Sequence, residues 1–366
     1  MRLVLIERDL YIRVQSLVDI EARIRAHFRV LLLADALGKP WPARFFLSRF
    51  QAMAIAMSES LNPDRRVLDS LPKSWVDRAP LALRPYLRLA RYDRPIGFWL
   101  LAIPCWFALA AARGGEGLNG TDLYWAVLFA IGAIAMRGAG CTYNDMVDRD
   151  LDAQVERTAN RPLAAKTVRL SQAWAFLVGQ CLVGLIVLIQ FPLPAIITAL
   201  AALGLVAAYP FMKRITWWPQ AWLGLTFNWG VVVAGAAVLG TPFDHAILLL
   251  FGSALFWTLA YDTIYACQDM EDDALVGVKS SARALGSVIK PGVIVFYSVS
   301  VVLAGLAGFV GQAGVLFAAG FGAYAAHAAW IVSRFDPNDG SGCLRLFKAN
   351  RTTGLLLTLA FVLGTL

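Results

Sequence analysis

Charged residues are scarce in this chain of 366 residues: 16% are Asp, Glu, Lys or Arg, and 58% are hydrophobic. Soluble globular proteins contain about 25% charged and about 45–50% apolar residues. Several apolar segments are long enough to cross a bilayer, which takes about 20 residues in a helix. The composition therefore excludes a soluble fold and predicts an all-α polytopic membrane protein.

Histidine and cysteine are also rare, and neither is spaced as in a metal site. The three histidines, His27, His245 and His327, are scattered along the chain. The five cysteines lack metal-binding spacing, and most fall inside or beside apolar segments. We therefore expect no zinc-type site and interpret the cysteines as reduced packing residues.

Nine apolar segments are predicted to span the membrane. They lie near residues 95–112, 123–143, 171–190, 194–211, 217–239, 244–265, 289–309, 313–333 and 352–366. Basic residues gather in the loops on one side, whereas the opposite loops offer Arg113 and almost no other. The positive-inside rule places the N-terminus and that side in the cytoplasm of a bacterium, with the mitochondrial inner membrane as the alternative. The net charge of +8 therefore reflects sidedness, not nucleic-acid binding.

The first 84 residues differ from the rest and are predicted to be an extension before a transmembrane domain at 85–366. Residues 1–56 lack an apolar core followed by a cleavage site, so a secretory signal is not expected. Their acidic residues argue against a mitochondrial transit peptide, which stays an alternative. We hypothesise that translation starts at Met57; native protein that retains Met1 by intact mass would contradict this.

A polar stripe lies at the end of the second predicted span. Its members are spaced by three or four residues and so share a helix face: Arg137, Cys141, Asn144, Asp148 and Asp152. A solvated helix end would explain the carboxylates. It would not explain an arginine inside a span, which needs an anionic partner. We therefore interpret the stripe as a functional site.

A second acidic pair, Asp269 and Asp273, follows the sixth predicted span, 121 residues after Asp148 and Asp152. Opposed carboxylates repel one another unless a cation lies between them. Mg²⁺ typically binds one or two carboxylates together with substrate phosphates. We predict a site that holds a diphosphate through Mg²⁺. Its candidate metal ligands are Asn144, Asp145, Asp148, Asp152, Asp269 and Asp273.

Basic residues beside both clusters are predicted to bind the oxygens of that diphosphate, which arginine can do bidentately. The candidates are Arg157, Arg161, Lys213, Lys279 and, as a hydroxyl donor, Tyr209. Residues 209–214 are predicted to form a loop after the fourth span. They also fit an aromatic belt with a cationic anchor, but the acidic clusters favour substrate contact.

Together these motifs resemble the UbiA superfamily of intramembrane aromatic prenyltransferases over residues 85–366. The family's Asn-Asp-x-x-Asp-x-x-x-Asp motif is present at 144–152, its second Asp-x-x-x-Asp at 269–273 and its Tyr-x-x-x-Lys at 209–213. The segments most similar to the branch that prenylates 4-hydroxybenzoate are 94–97, 157–163, 261–263 and 277–280. One departure is Ala164-Ala165-Lys166, where the family commonly has small residues and glycine.

The resemblance implies nine transmembrane helices around a central cavity. It implies transfer of a polyprenyl group from polyprenyl diphosphate to the ring of 4-hydroxybenzoate, ortho to the hydroxyl, in ubiquinone biosynthesis, with Mg²⁺ as cofactor and membrane lipid around the bundle. The implied catalytic residues are Asn144, Asp148, Asp152, Asp269 and Asp273. For the acceptor carboxylate we predict an anchor at Arg137 or Arg214.

Three alternatives stay open. Other members of the superfamily prenylate naphthoate, homogentisate, haem precursors or chlorophyllide. A membrane transporter of an anionic lipid or metabolite would use the same cavity without chemistry. CDP-alcohol phosphatidyltransferases also combine membrane aspartates with a divalent metal, but their pattern needs Asp-Gly, Ala-Arg and further aspartates in one short stretch, which the segment from Asn144 lacks.

Overall fold

The structure is a computed structural model that describes residues 73–154, 158–268, 270 and 277–366. Predictions that concern residues 1–72, Arg157, Asp269 and Asp273 therefore lie outside the described residues. Within those ranges the regular structure is helical, without a β-strand.

The α-helices follow one another in chain order. They are α1 (Arg84–Leu89), α2 (Ile96–Arg113), α3 (Gly120–Asp152), α4 (Leu170–Leu188), α5 (Leu193–Ala201), α6 (Leu203–Ile215), α7 (Pro219–Phe227), α8 (Trp229–Leu239), α9 (His245–Ala266), α10 (Ser281–Leu285), α11 (Ile289–Val310), α12 (Phe317–Arg334) and α13 (Gly340–Gly364). Short 3₁₀ turns occur at Trp75–Arg78, Gly114–Glu116 and Gly286–Val288.

Eight helical stretches of the described chain are long and apolar enough to cross a membrane. They are Ile96–Glu116, Gly120–Asp152, Leu170–Leu188, Leu193–Ile215, Pro219–Leu239, His245–Ala266, Ser281–Val310 and Gly340–Gly364. The predicted span at 313–333 is also helical, as α12, but α12 is not among the eight. Its His327 and Arg334 lower its apolarity. The helical membrane fold is confirmed, and the count of nine is not.

The prediction that residues 209–214 form a loop is wrong, because α6 continues through them to Ile215. Two basic residues, Lys213 and Arg214, occupy its last turn. Cations there are favoured by the partial negative charge at a helix C-terminus. Both side chains also pair with a carboxylate of α3, so the helix carries them to the site.

Helix α9 forms the centre of the core and packs against α7, α11 and α13. A buried polar cluster joins three of these helices. The amide oxygen of Asn350 accepts hydrogen bonds from Trp257 Nε1 and from the Tyr297 hydroxyl, both at 2.8 Å. All three side chains are almost completely buried. The cluster therefore fixes how α9, α11 and α13 fit together.

Close helix contact elsewhere depends on small residues. A Cβ added to Gly320 on α12 would lie 2.5 Å from the Cα of Ala360 on α13. Such a distance is too short for any side chain, so these two helices approach at backbone contact, as small residues allow in membrane bundles.

The loop between α3 and α4 contains a residue in the left-handed conformation, Lys166, with φ of 58°. Its neighbours form a tight turn in which the N–H groups of Thr167 and Val168 donate to the carbonyl of Pro162. A left-handed backbone costs a side-chain-bearing residue about 1–2 kcal/mol, and glycine avoids that cost. The departure from the family pattern at residues 164–166 thus places a lysine where the backbone favours glycine.

Candidate active site

The first acidic cluster lies on the C-terminal part of α3. The helix begins at a capping box, in which Asn119 Oδ1 accepts from the N–H groups of Thr121 and Asp122. With 33 residues and 1.5 Å per residue, α3 is about 50 Å long. The hydrocarbon core of a bilayer is only about 30 Å thick. One end of α3 can therefore project beyond the hydrocarbon while the rest of the helix spans it.

Asp145 is buried and bound by two arginines from different segments. Its Oδ1 accepts from Arg91 Nη2 at 2.8 Å and from Arg161 Nη1 at 3.3 Å. Arg91 precedes α2, and Arg161 lies in the loop after α3. One carboxylate oxygen therefore brings two guanidinium groups together.

Asp152 lies on the same helix face as Asp145 and Asp148 and is also buried. Its two carboxylate oxygens accept from Arg161 Nη1 at 3.0 and 2.8 Å. Arg161 therefore bridges Asp145 and Asp152, and the basic loop predicted to lie near the acidic cluster does so in the structure.

Asp148 has no exposed side-chain surface and binds two cations of α6. Its Oδ2 lies 2.5 Å from Lys213 Nζ, and its Oδ1 lies 3.1 Å from Arg214 Nη2. Lys213 is 25% exposed and Arg214 is 49% exposed. The structure thus joins the first acidic motif to the Tyr-x-x-x-Lys segment.

The donor chemistry of this cluster suits a hard divalent cation. Asp145, Asp148 and Asp152 supply oxygen atoms only, the kind that Mg²⁺ prefers. Within the ranges that the structure covers, however, no three His, Cys, Asp or Glu side chains are grouped closely enough to hold a metal ion by themselves. A divalent ion bound at these three carboxylates would therefore need further ligands.

Two other predicted residues are half-buried near this cluster. In the described part of the chain, neither Asn144 nor Tyr209 makes a side-chain hydrogen bond. The Tyr209 hydroxyl lies within electrostatic range of Arg91, Arg137 and Asp262. Tyr209 therefore belongs to the same polar region as the first acidic cluster.

Lys279 is hydrogen-bonded to the end of α6, next to Lys213. Its N–H donates to the carbonyl of Lys213 at 3.0 Å, while its Nζ donates to the carbonyl of Ile215 at 3.1 Å. The ammonium also lies 5.9 Å from the ring centroid of Trp217. Of the two candidate lysines, Lys213 thus contacts a motif carboxylate and Lys279 is held beside it.

Gln220 connects the ends of three helices through a chain of hydrogen bonds. Gln220 Oε1 accepts from the backbone N–H of Ser281 at 2.8 Å, and the Ser281 hydroxyl lies 2.7 Å from that of Thr263. The start of α7, the start of α10 and the end of α9 are thereby tied together.

The two predicted acceptor anchors have different surroundings. Arg214 is bound to Asp148, whereas the Arg137 guanidinium lies 5.4 Å from the ring centroid of Phe227. Arg137 also presses against Gly97, where an added Cβ would be 2.3 Å from Arg137 Nε. Any larger residue at position 97 would require this guanidinium to move.

Sequence reasoning missed Arg91, Gln220 and the packing role of Gly97. Arg91 was interpretable only as a sidedness signal, because its partner Asp145 is 54 positions away. No local pattern marks Gln220 either. Gly97 lies in the Arg-Pro-Ile-Gly segment that carried part of the resemblance, so that segment offered a signal.

A bundle of membrane-spanning helices that gathers buried carboxylates, arginines and a lysine at one end defines a membrane protein with a charged site. The chain belongs to the UbiA prenyltransferase family, whose model matches residues 101–360.

Curated relatives are similar along most of their length. The chain is 44% identical over 308 residues to the mitochondrial 4-hydroxybenzoate polyprenyltransferase of Homo sapiens, covering 83% of this chain and 81% of the relative. It is 38% identical over 331 residues to the protein of the same name from Arabidopsis thaliana, covering 89% and 81%.

Solved structures support the fold. An apo UbiA homolog from Aeropyrum pernix K1 superposes with a TM-score of 0.61 at 21% identity, covering 73% of this chain and 98% of that one. A UbiA homolog from Archaeoglobus fulgidus bound to GPP and Mg²⁺ gives a TM-score of 0.58 at 19% identity, covering 76% and 98%. At these identities the similarity is one of architecture.

Proposed function

We propose that this protein is a 4-hydroxybenzoate polyprenyltransferase, which transfers a polyprenyl group from polyprenyl diphosphate to the acceptor ring, ortho to the hydroxyl, in ubiquinone biosynthesis. The observation that carries the proposal is the set of buried carboxylates, Asp145, Asp148 and Asp152, each bound by basic side chains. The names of relatives at 38–44% identity agree with it.

Transfer breaks the allylic carbon–oxygen bond of the donor and forms a carbon–carbon bond to the ring. Negative charge then develops on the departing diphosphate. Arg161, Lys213 and Arg214 are already fixed by carboxylates at one end of the bundle, so their charges stabilise that anion without reorganisation. Such preorganised groups lower the barrier more than flexible ones.

A divalent cation, for which we propose Mg²⁺, would add positive charge at the leaving group when bound. The residues that would hold it are Asn144, Asp145, Asp148, Asp152, Asp269 and Asp273. Their oxygen-only chemistry fits the ion. The catalytic roles of Asn144, Asp148, Asp152, Asp269 and Asp273 and the diphosphate contacts of Arg157, Lys279 and Tyr209 belong to the same proposal.

The remaining allylic cation must be shielded from water until the ring attacks it. A site within a helical membrane bundle excludes water. Arg137 is suited to anchor the acceptor carboxylate, because its guanidinium is half-buried beside Phe227 and supported by Gly97. A fixed carboxylate would orient the ring carbon beside the hydroxyl toward the cation.

The compartment is part of the proposal. The curated relatives quoted above are named as mitochondrial, which favours the mitochondrial inner membrane over the bacterial cytoplasmic membrane. In either membrane the acidic clusters lie on the side that carries the basic loops.

The function is tested by supplying the purified protein in lipid nanodiscs with Mg²⁺, polyprenyl diphosphate and a panel of aromatic acids. We expect diphosphate release in step with a prenylated 4-hydroxybenzoate, identified by mass spectrometry. Chelation should abolish turnover, and Mg²⁺ should restore it. Prenylation of another acid instead would reassign the acceptor. Anion uptake into vesicles without product would favour the transporter.

Replacing Arg137 by Gln is expected to raise the KM for 4-hydroxybenzoate at least about tenfold, because a charge-assisted hydrogen bond contributes about 1.5–3 kcal/mol. The KM for the prenyl diphosphate should change little. Gly97→Ala should shift the same KM, since the added methyl displaces the guanidinium. Arg214→Gln is the matched comparison. If Arg214→Gln alone raises the acceptor KM, the anchor is Arg214.

A further inference from the structure

Arg91 has a backbone conformation that normally selects glycine. It follows α1 as the C′ residue of a Schellman motif: its N–H donates to the Arg88 carbonyl, and the Tyr92 N–H donates to the Leu87 carbonyl, both at 2.9 Å. The C′ position of this motif is left-handed and usually glycine. Arg91 has φ of 57°. The chain therefore carries an arginine at a position whose backbone disfavours any side chain.

The side chain at this position reaches the first acidic motif. Arg91 Nη2 donates to Asp145 Oδ1, the same oxygen that Arg161 Nη1 contacts. Two guanidinium groups thus converge on one buried carboxylate. Arg161 also binds Asp152. Arg91 therefore lies next to a basic side chain that contacts two carboxylates of the motif.

Basic side chains from three segments surround the carboxylates of this cluster. Three carboxylates, those of Asp145, Asp148 and Asp152, are contacted by four cations, which come from Arg91, Arg161, Lys213 and Arg214. Convergent guanidinium groups match the geometry of phosphate oxygens.

We propose that Arg91 is a diphosphate-binding residue of the donor site and that Asp145 is the buried counter-ion that holds it beside Arg161. The proposal rests on the proposed function for the identity of the anion. Asp145 orients Arg91 through their hydrogen bond, and the left-handed backbone places the arginine at the end of α1, where it faces α3. A prenyl diphosphate therefore meets a basic pair, Arg91 and Arg161, built from two separate segments.

The test compares Arg91→Gly and Arg91→Lys with Lys166→Gly in nanodiscs. Lys166 is the matched control: it is also a basic residue with positive φ, it is exposed, and it lies on the same side of the protein. Steady-state kinetics give separate KM values for donor and acceptor. The rise in thermal midpoint caused by inorganic pyrophosphate, in the presence of Mg²⁺, measures anion binding without turnover.

Arg91→Gly should raise the KM for the prenyl diphosphate about 10- to 100-fold and reduce the pyrophosphate-induced rise in midpoint. Arg91→Lys keeps the positive charge but loses the paired N–H donors of the guanidinium, so it should give a smaller rise in donor KM. If the glycine variant does not fold, the lysine variant tests the proposal. Lys166→Gly should leave both KM values and the pyrophosphate-induced rise in midpoint as in the wild type, although its midpoint without ligand should be higher because glycine relieves the backbone strain.

Unchanged donor KM in the folded Arg91 variants would overturn the proposal, as would an increase confined to the acceptor KM or one shared by Lys166→Gly. A wild-type protein without turnover would instead defeat the proposed function. In that case the pyrophosphate measurement alone decides whether Arg91 binds diphosphate. If pyrophosphate raises the midpoint of Arg91→Lys as much as that of the wild type, the proposal is overturned. A smaller rise in the variant supports it.

Discussion

Asp148→Asn is expected to lower kcat/KM for prenyl transfer by about 10²- to 10³-fold, the size of loss that follows removal of one preorganised electrostatic group. Asp148 has no exposed side-chain surface and holds Lys213 and Arg214. The amide preserves the volume but removes the charge that positions both cations and that is proposed to face the metal. Steady-state turnover in nanodiscs, with diphosphate release as the readout, measures the loss.

The protein should still fold, because the two released cations are partly exposed and can be solvated by water. Asp150→Asn is the matched control. Asp150 lies two positions away on α3, is 84% exposed and pairs only with its neighbour Arg149 among the contacts of the described chain. Its replacement should leave kcat/KM within about twofold, as expected for a solvated surface pair. Near-normal turnover of Asp148→Asn would refute the assignment of this carboxylate to the active site.

Asn350→Leu is expected to cost about 1–6 kcal/mol of stability. Asn350 Oδ1 accepts from both Trp257 Nε1 and the Tyr297 hydroxyl, so leucine would leave two buried donors without their acceptor. Two unsatisfied donors give the upper value. The lower value follows from interhelical hydrogen bonds in membranes, which average about 0.6 kcal/mol each because the unfolded chain in the bilayer finds other partners.

Thermal or denaturant unfolding in detergent micelles would measure this loss. Thr358→Val on the same helix is the control, since the Thr358 hydroxyl donates only to the carbonyl of Gly354, within α13. Its replacement should have a small effect. Equal stability of the two variants would show that the Asn350 cluster does not hold α9, α11 and α13 together.

Much of the fold follows from the sequence because apolar length and basic loops are direct consequences of the bilayer. The spacing of Asn144, Asp148 and Asp152 likewise predicted one helix face, and α3 carries all three to its last residue, Asp152. Boundaries were less predictable. Helix α6 extends through Lys213 and Arg214 because their contact with Asp148 favours a structured end, and that contact is made only in the folded bundle.

The sequence predicted which types of residue form the site, but not which side chains pair with one another. Carboxylates next to arginines indicated an anion site, yet nothing in the order of residues assigned Lys213 to Asp148 or Arg91 to Asp145. Those pairs join positions 65 and 54 residues apart, and helix packing decides them. Arg91 was missed for a second reason: an arginine ahead of a span is ordinary for sidedness, and only its positive φ distinguishes it.

The excess length of α3 has a consequence for how two unlike reactants meet. A helix about 50 Å long in a hydrocarbon layer of about 30 Å can lift its acidic end to the level of the lipid headgroups. There a small dissolved acid arrives from the aqueous phase and an isoprenoid arrives by lateral diffusion, so neither has to leave the phase in which it travels.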